Sequence, residues 1–211
     1  SAGRASRSGQ SSTMADDLPR SLVAMALAAE GAGRFERQGI PVLYTGIGKV
    51  NAAAALARRL AQYRCANLAP PLVVNFGTAG SRLHSAHAIV GCHQFIDRDM
   101  NVSALGFAPG TTPFDPLPAV LEFAPRFPRL PAAICGSGDS FAASASGDQC
   151  DVLDMEAYAL AKVCRIEGAD FACAKYVSDG ADEAAARDWR ENVAGAADAF
   201  VALYLELVSL P

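Results

Sequence analysis

The stretch Leu72-Val73-Val74-Asn75 follows a Pro70-Pro71 break and runs into Gly77-Thr78-Ala79-Gly80. A short continuous apolar run bounded by turn signals is typical of a strand that is buried on both faces. Similar runs occupy residues 22–28, 42–45, 89–96, 132–135 and 170–177, and helical patterns occupy residues 49–63 and 155–166. Strands that alternate with helices predict a single α/β domain with a central mixed, partly parallel sheet flanked by helices.

Two further helices are predicted. The proline-rich stretch 109–131 contains one short helical pattern at residues 117–123. Near the carboxyl end, apolar residues recur at spacings of 4, 3, 4, 3 and 4, which predicts one long closing helix. These residues are Trp189, Val193, Ala196, Phe200, Leu203 and Leu207.

Composition excludes several classes of function. The chain has 211 residues, of which 51% are hydrophobic and 19% charged, with a formal net charge of −4, so neither nucleic acid nor a membrane surface is an expected partner. No apolar run reaches the roughly 20 residues of a membrane-spanning helix. The six cysteines form no CxxC pair, so we expect no metal site. We expect the thiols to be reduced, as in a cytoplasmic protein. Residues 1–13 are polar and are expected to be a disordered leader ahead of a domain at 14–211.

Three carboxylates lie in apolar surroundings. Glu30 follows the first apolar run, Glu156 lies within the apolar pattern of residues 155–166, and Asp179 follows a buried strand. Acids in such places are candidates for acid–base chemistry. Taken locally, Glu30 could equally be an acid at a helix start and Asp179 a turn or N-cap residue. Glu156 needs a partner or a function, because a buried carboxylate is costly.

Glycines follow two of the predicted strands. Gly46-Ile47-Gly48 and Gly77-Thr78-Ala79-Gly80 could present backbone amides to an anion or a sugar hydroxyl, or could simply be tight turns. Neither stretch has the spacing of a P-loop or of a dinucleotide-binding fingerprint. Phe141 could stack on a planar ligand or pack in the core.

In combination, six segments resemble the nucleoside phosphorylase/nucleosidase superfamily, and most closely the 5′-methylthioadenosine/S-adenosylhomocysteine nucleosidases. Each segment is only modestly specific by itself, but all six occur in the order of the family. They are Ala26-Leu27-Ala28-Ala29-Glu30, Thr45-Gly46-Ile47-Gly48-Lys49-Val50-Asn51, Asn75-Phe76-Gly77-Thr78-Ala79-Gly80, Ser137-Gly138-Asp139-Ser140-Phe141, Asp154-Met155-Glu156-Ala157 and Val177-Ser178-Asp179-Gly180-Ala181-Asp182.

The resemblance implies cleavage of the N-glycosidic bond of a purine nucleoside by water, without a cofactor, in a homodimer. It assigns Asp179 as the acid that protonates N7 of the leaving base and Glu30 as the base that activates water. It implies that Glu156 binds the ribose hydroxyls. The other implied contacts are Thr78 on the ribose side, Phe141 stacked on the purine, Ala142 at the base edge and Met155 beside Glu156.

The chain departs from the family pattern in places. Lys175 stands where nucleosidases commonly have arginine, and Asp97-Arg98-Asp99 replaces a usual histidine–acid pair. The residues between Glu30 and Thr45 are fewer than usual, so a strand pair is expected to be missing. Two alternatives therefore stay open: a phosphorylase that uses inorganic phosphate, and a nucleoside-binding protein without activity. Asn75 occupies the position at which related phosphorylases have a phosphate-binding arginine. The absence of that arginine favours water over phosphate as the nucleophile.

Overall fold

A computed structural model of the protein describes residues 18–140, 149–180 and 185–209. The strands of these residues are β1 (Ser21–Met25), β2 (Val42–Tyr44), β3 (Leu72–Gly80), β4 (Ile89–Asp97), β5 (Val120–Glu122), β6 (Ala132–Ser137), β7 (Val152–Asp154) and β8 (Phe171–Asp179). The α-helices are α1 (Ala28–Gly31), α2 (Arg34–Arg37), α3 (Lys49–Cys65), α4 (Ala157–Glu167), α5 (Ala185–Asn192) and α6 (Ala197–Ser209), and a short 3₁₀ helix spans Ser103–Leu105.

The strands form one mixed sheet, as predicted. β1 is parallel to β2 and β3, and β3 is parallel to β8. β8 is antiparallel to β4, which pairs in parallel with β6, and β6 pairs in parallel with β7. β7 returns to β3 through one antiparallel pair, Gly80 opposite Leu153. The strands β3, β8, β4, β6 and β7 therefore close a ring, and the carboxyl ends of β3 and β8 meet β7 at one edge.

Both faces of the central strands are covered. Leu22 and Ala24 of β1 belong to one buried cluster, whereas Val23 and Met25 belong to another. Because alternate side chains of a strand point to opposite faces, this division explains why the strand sequences are continuously apolar. The first cluster contains residues of α3 and α4, and the second contains residues of α6.

The prediction of a helix at residues 117–123 is wrong. The structure has strand β5 there, paired antiparallel with β4 so that Leu121 lies opposite Phe95 and is buried. This pairing with a distant strand overrides a weak local helical pattern. The strand predicted at 72–75 is also longer than expected, since β3 continues through its glycines to Gly80.

The prediction of a single closing helix is also wrong. The apolar stripe is divided between α5 and α6, and Gly195 lies between them. A Cβ atom at Gly195 would lie 2.4 Å from the hydroxyl oxygen of Tyr176, so the chain passes close against β8 at the break. Periodicity alone cannot detect such a break, because the stripe keeps its spacing across it.

None of the helices in the described ranges is long and apolar enough to cross a membrane. The six cysteines, all within those ranges, are free thiols.

Candidate active site

A cavity of about 270 Å³ lies at the edge where β3 and β8 end. Five of the seven predicted site residues line it: Glu30, Thr78, Met155, Glu156 and Asp179. The other two, Phe141 and Ala142, lie outside the described residues. Residues separated by up to 149 positions are thus brought to one cavity, at the sheet edge where open α/β folds bind ligands.

Glu30 is held by three hydrogen bonds. The backbone amide of Thr78 donates to its Oε1 at 2.9 Å, and the Thr78 hydroxyl lies 3.1 Å from the same oxygen. The amide of Leu27 donates to Oε2 at 3.0 Å, within the first turn of α1. Glu30 is therefore both an acid at a helix start and a wall of the cavity, and the two readings of the sequence are compatible.

The close approach of Glu30 to β3 depends on Gly77. A Cβ atom at this position would lie 3.0 Å from Oε1 of Glu30 and 3.3 Å from Nζ of Lys175. Such contacts are tighter than ordinary van der Waals separations, so a side chain at Gly77 would push against both charged groups. The glycine lets the carboxylate lie against the strand backbone.

Thr78 also accepts a hydrogen bond from a residue that the sequence pattern did not mark as functional. The indole Nε1 of Trp189 donates to its hydroxyl oxygen at 3.0 Å, and the Trp189 side chain lines the cavity. The sequence placed Trp189 only on the apolar stripe of a single closing helix. In the structure that helix is broken after Asn192, and Trp189 lies at the cavity.

Glu156 precedes α4 and is buried beside the cavity. Its Oε1 accepts a hydrogen bond from the backbone amide of Gly48 at 2.9 Å. Burial, together with the neighbouring Asp154 carboxylate, raises the pKa of Glu156 from 4.5 to about 7, although Lys175 opposes this shift. The carboxyl group is therefore poised to change its charge near neutral pH.

Asp179 is the last residue of β8 and is buried. The hydroxyl of Ser178 donates to its Oδ2 at 2.8 Å. The carbonyl of Ser178 in turn accepts a hydrogen bond from the side chain of Asn192 at 3.2 Å, which ties α5 to the end of β8. The Ser178-Asp179 pair is thus fixed at the cavity wall by its own strand and by α5.

Beneath the cavity lies a buried polar network that sequence reasoning did not assign. Nζ of Lys175 lies 2.8 Å from Oδ2 of Asp154, and the hydroxyl of Ser137 donates to Oδ1 of Asp154 at 2.5 Å. The amide of Ala157 also donates to Oδ2, at 2.9 Å. The signal in the sequence was Lys175 itself, because a lysine inside an apolar strand requires a buried partner.

The cavity is thus lined by four buried carboxylates, those of Glu30, Asp154, Glu156 and Asp179, and by the side chains of Arg98 and Arg190, while the buried cation Lys175 lies behind Asp154. Among the residues that the structure describes, no group of three or more His, Cys, Asp or Glu side chains is arranged to hold a metal ion. The arrangement can donate a proton to a ligand at one place, accept one at another and stabilise positive charge between them.

Comparison with known proteins identifies the family of this chain. The family model for the phosphorylase superfamily matches residues 32–209. The chain belongs to the phosphorylase superfamily. A 5′-methylthioadenosine/S-adenosylhomocysteine nucleosidase of Geobacillus thermodenitrificans is 31% identical over 172 residues, covering 72% of this chain and 71% of the relative. The resemblance to these nucleosidases within the superfamily is therefore confirmed.

Solved structures of superfamily members confirm the fold. The nucleosidase of Colwellia psychrerythraea, in complex with adenine, has a TM-score of 0.76 and 20% identity, covering 90% of this chain and 94% of that chain. Futalosine hydrolase of Helicobacter pylori has a TM-score of 0.78 and 19% identity, covering 91% of this chain and 98% of that chain. The predicted mixed sheet flanked by helices is the architecture of this superfamily.

Proposed function

We propose that this member of the nucleosidase family hydrolyses the N-glycosidic bond of a 5′-thio-substituted adenosine, such as 5′-methylthioadenosine or S-adenosylhomocysteine. The observation that carries the proposal is the convergence of Glu30, Glu156 and Asp179 on one cavity. The products would be adenine and the free sugar. The Geobacillus thermodenitrificans relative is named for these two substrates, which supports the choice of nucleoside.

Asp179 is the proposed general acid. As the C1′–N9 bond breaks, its electron pair moves into the purine, and Asp179 delivers a proton to N7 so that the base leaves as a neutral molecule. A buried acid at the wall of a cavity suits this role, because proton transfer to a leaving group is most effective where water does not compete.

Glu30 is the proposed general base. A water molecule between Glu30 and the sugar would add its oxygen to C1′ and give its proton to the carboxylate. Three donors contact the Glu30 carboxylate: the Thr78 amide, the Thr78 hydroxyl and the Leu27 amide. These donors orient the carboxylate at the wall of the cavity.

Glu156 is the proposed ribose ligand. In its ionised form it accepts hydrogen bonds from the sugar hydroxyls and stabilises the positive charge that develops on the ring as the bond breaks. The Gly48 amide holds Oε1, which fixes the orientation of the carboxylate. We place Met155 beside Glu156, Phe141 stacked on the purine and Ala142 at the base edge, as the family motif implies.

The direct test is release of adenine. Purified protein incubated with 5′-methylthioadenosine in phosphate-free buffer is expected to release adenine and an equal amount of 5-methylthioribose, both measured by chromatography. Inosine serves as a comparison substrate for preference at the base. A protein that binds 5′-methylthioadenosine but releases no base from any purine nucleoside would contradict the proposal.

We further propose a cytoplasmic homodimer. Of the apolar residues in the proline-rich stretch, Phe127 is buried, whereas Phe114 is 95% exposed and packs only edge-on against Phe107. Leu105, nine positions before Phe114 in the sequence, is 71% exposed. An apolar surface of this kind favours a second copy of the chain. Light scattering that returns about 22 kDa at micromolar concentration would contradict the dimer.

A further inference from the structure

A chain of hydrogen bonds runs from Trp189 to the carboxylate of Glu30. The indole Nε1 of Trp189 donates to Oγ1 of Thr78 at 3.0 Å, and Oγ1 of Thr78 lies 3.1 Å from Oε1 of Glu30. An indole N–H can only donate, and a hydroxyl group has a single proton to give. Thr78 therefore accepts from Trp189, and its own proton is directed to Glu30.

The two oxygens of the Glu30 carboxylate are occupied differently. Oε1 accepts from the hydroxyl of Thr78 and also from the backbone amide of Thr78, at 2.9 Å. Oε2 accepts one hydrogen bond from the described part of the chain, that of the Leu27 amide at 3.0 Å. Because each carboxylate oxygen has two lone pairs, Oε1 is fully occupied and Oε2 keeps one lone pair for a ligand in the cavity.

The position of Trp189 is set by α5, which is anchored to β8. The side chain of Asn192, in the last turn of α5, donates to the carbonyl of Ser178 at 3.2 Å. Beyond the helix, the chain passes so close to β8 that a Cβ atom at Gly195 would lie 2.4 Å from the hydroxyl oxygen of Tyr176. The half-buried indole is thus held in the cavity wall by the contacts of its own helix.

We propose that Trp189 is a positioning residue for the general base. Its N–H fixes the Thr78 hydroxyl as a donor to Oε1 of Glu30, so that Oε2 receives the proton of the attacking water. The water oxygen bonds to C1′, one of its protons moves to Oε2, and the other stays on the new sugar hydroxyl. Trp189 touches no reacting atom in this account. The inference rests on the proposed function in taking Glu30 as the base.

The N–H of Trp189 can be tested apart from its ring, because Trp189 is the only tryptophan of the chain. Biosynthetic replacement of tryptophan by benzothienylalanine exchanges the N–H for sulfur at this position alone and keeps the shape of the ring. Trp189→Phe is a second variant that keeps an aromatic ring in the cavity wall and lacks the N–H. The benzothienylalanine protein supplies a folded sample if Trp189→Phe does not fold.

The test measures kcat and KM for 5′-methylthioadenosine. Both replacements of Trp189 are expected to lower kcat by about tenfold and to leave KM within about threefold of that of wild type. The reason is that a loosened base slows the attack of water but leaves the groups that bind the nucleoside in place. A residue that served only as an apolar wall would show the opposite pattern.

A double-variant cycle tests the route through Thr78. Thr78→Val removes the hydroxyl and keeps the backbone amide that holds Oε1 of Glu30. In the Thr78→Val background, Trp189→Phe is expected to change kcat by less than about twofold, because no hydroxyl is left to orient.

Tyr63→Phe is the matched control for the loss of an aromatic hydrogen-bond donor. The Tyr63 hydroxyl donates to the carbonyl of Pro19 at 2.6 Å, and Tyr63 does not line the cavity. The substitution removes one donor and keeps the ring, as Trp189→Phe does. It is expected to leave kcat and KM unchanged.

Three results would each overturn the proposal. The first is a kcat of the benzothienylalanine protein equal to that of wild type. The second is an equal effect of Trp189→Phe with and without the Thr78 hydroxyl. The third is a raised KM with unchanged kcat, since that pattern belongs to a residue that only binds substrate. Failure of the proposed function is a separate result, because the wild-type protein would then release no base from 5′-methylthioadenosine.

Discussion

Nζ of Lys175 lies 2.8 Å from Oδ2 of Asp154, and both side chains are almost completely removed from solvent, with 2% and 1% of their surfaces exposed. Burial alone lowers the pKa of a lysine, but the Asp154 carboxylate raises that of Lys175 well above its ordinary value. The pair is therefore charged, and it supplies a fixed cation beneath the carboxylates of the cavity.

Replacing Lys175 by methionine is expected to lower the free energy of unfolding by about 3–5 kcal/mol, because it leaves Asp154 buried without its counter-ion. The measurement is urea denaturation at pH 7, followed by circular dichroism. The control is Lys162→Met, whose pair with Asp115 is more exposed and is expected to contribute much less to stability. Equal effects of the two substitutions would contradict a stabilising role for the buried pair.

Glu156 is expected to make the protein less stable as the pH rises. The pKa of Glu156 is about 7 in the folded protein, above its ordinary value of 4.5. The folded protein therefore holds this proton more tightly than the unfolded chain does. Stability is then lost between about pH 4.5 and pH 7, by up to about 3 kcal/mol for this group. Glu156→Gln is expected to remove that loss and to raise the melting temperature at pH 8 while abolishing base release.

Thermal unfolding of wild type and Glu156→Gln across pH 4–8 is the measurement. Other groups titrate in both proteins, so the difference between the two curves isolates Glu156. A difference that stays constant over this range would show that the folded and unfolded states hold the Glu156 proton equally.

Asp179→Asn is expected to abolish base release while nucleoside binding survives. The amide has the size of the carboxyl group but cannot deliver the proton to the leaving base. Loss of a general acid typically lowers the rate by about 10²–10⁴. Turnover is measured by adenine release and binding by calorimetry with 5′-methylthioadenosine. Turnover near that of wild type would show that another residue protonates the base.

Base release is expected to proceed without inorganic phosphate. The Asn75 side chain is buried and donates to the carbonyl of Ala24 at 3.0 Å, and Lys49 is engaged by Asp97 and Asp99. Neither position therefore offers a cation to a phosphate ion. Rates in phosphate-free buffer and in added phosphate are expected to agree within about twofold. A rate that vanishes without phosphate and rises in proportion to it would favour a phosphorylase.

The sequence by itself determined the fold class and three of the four buried carboxylates that line the cavity. Continuous apolar runs identified the central strands because both faces of the sheet are covered, as the division of β1 between two clusters shows. Glu30 and Asp179 were found because each directly follows such a run. Signals of this kind are local, and a sequence records them in adjacent positions.

Only the tertiary structure decided which groups support those carboxylates. Trp189 reaches Thr78 across 111 positions, and Gly48 reaches Glu156 across 108. The break at Gly195 and the strand β5 likewise depend on contacts with Tyr176 and β4. Such contacts depend on how distant segments cross in space, and no periodicity within one segment encodes that crossing.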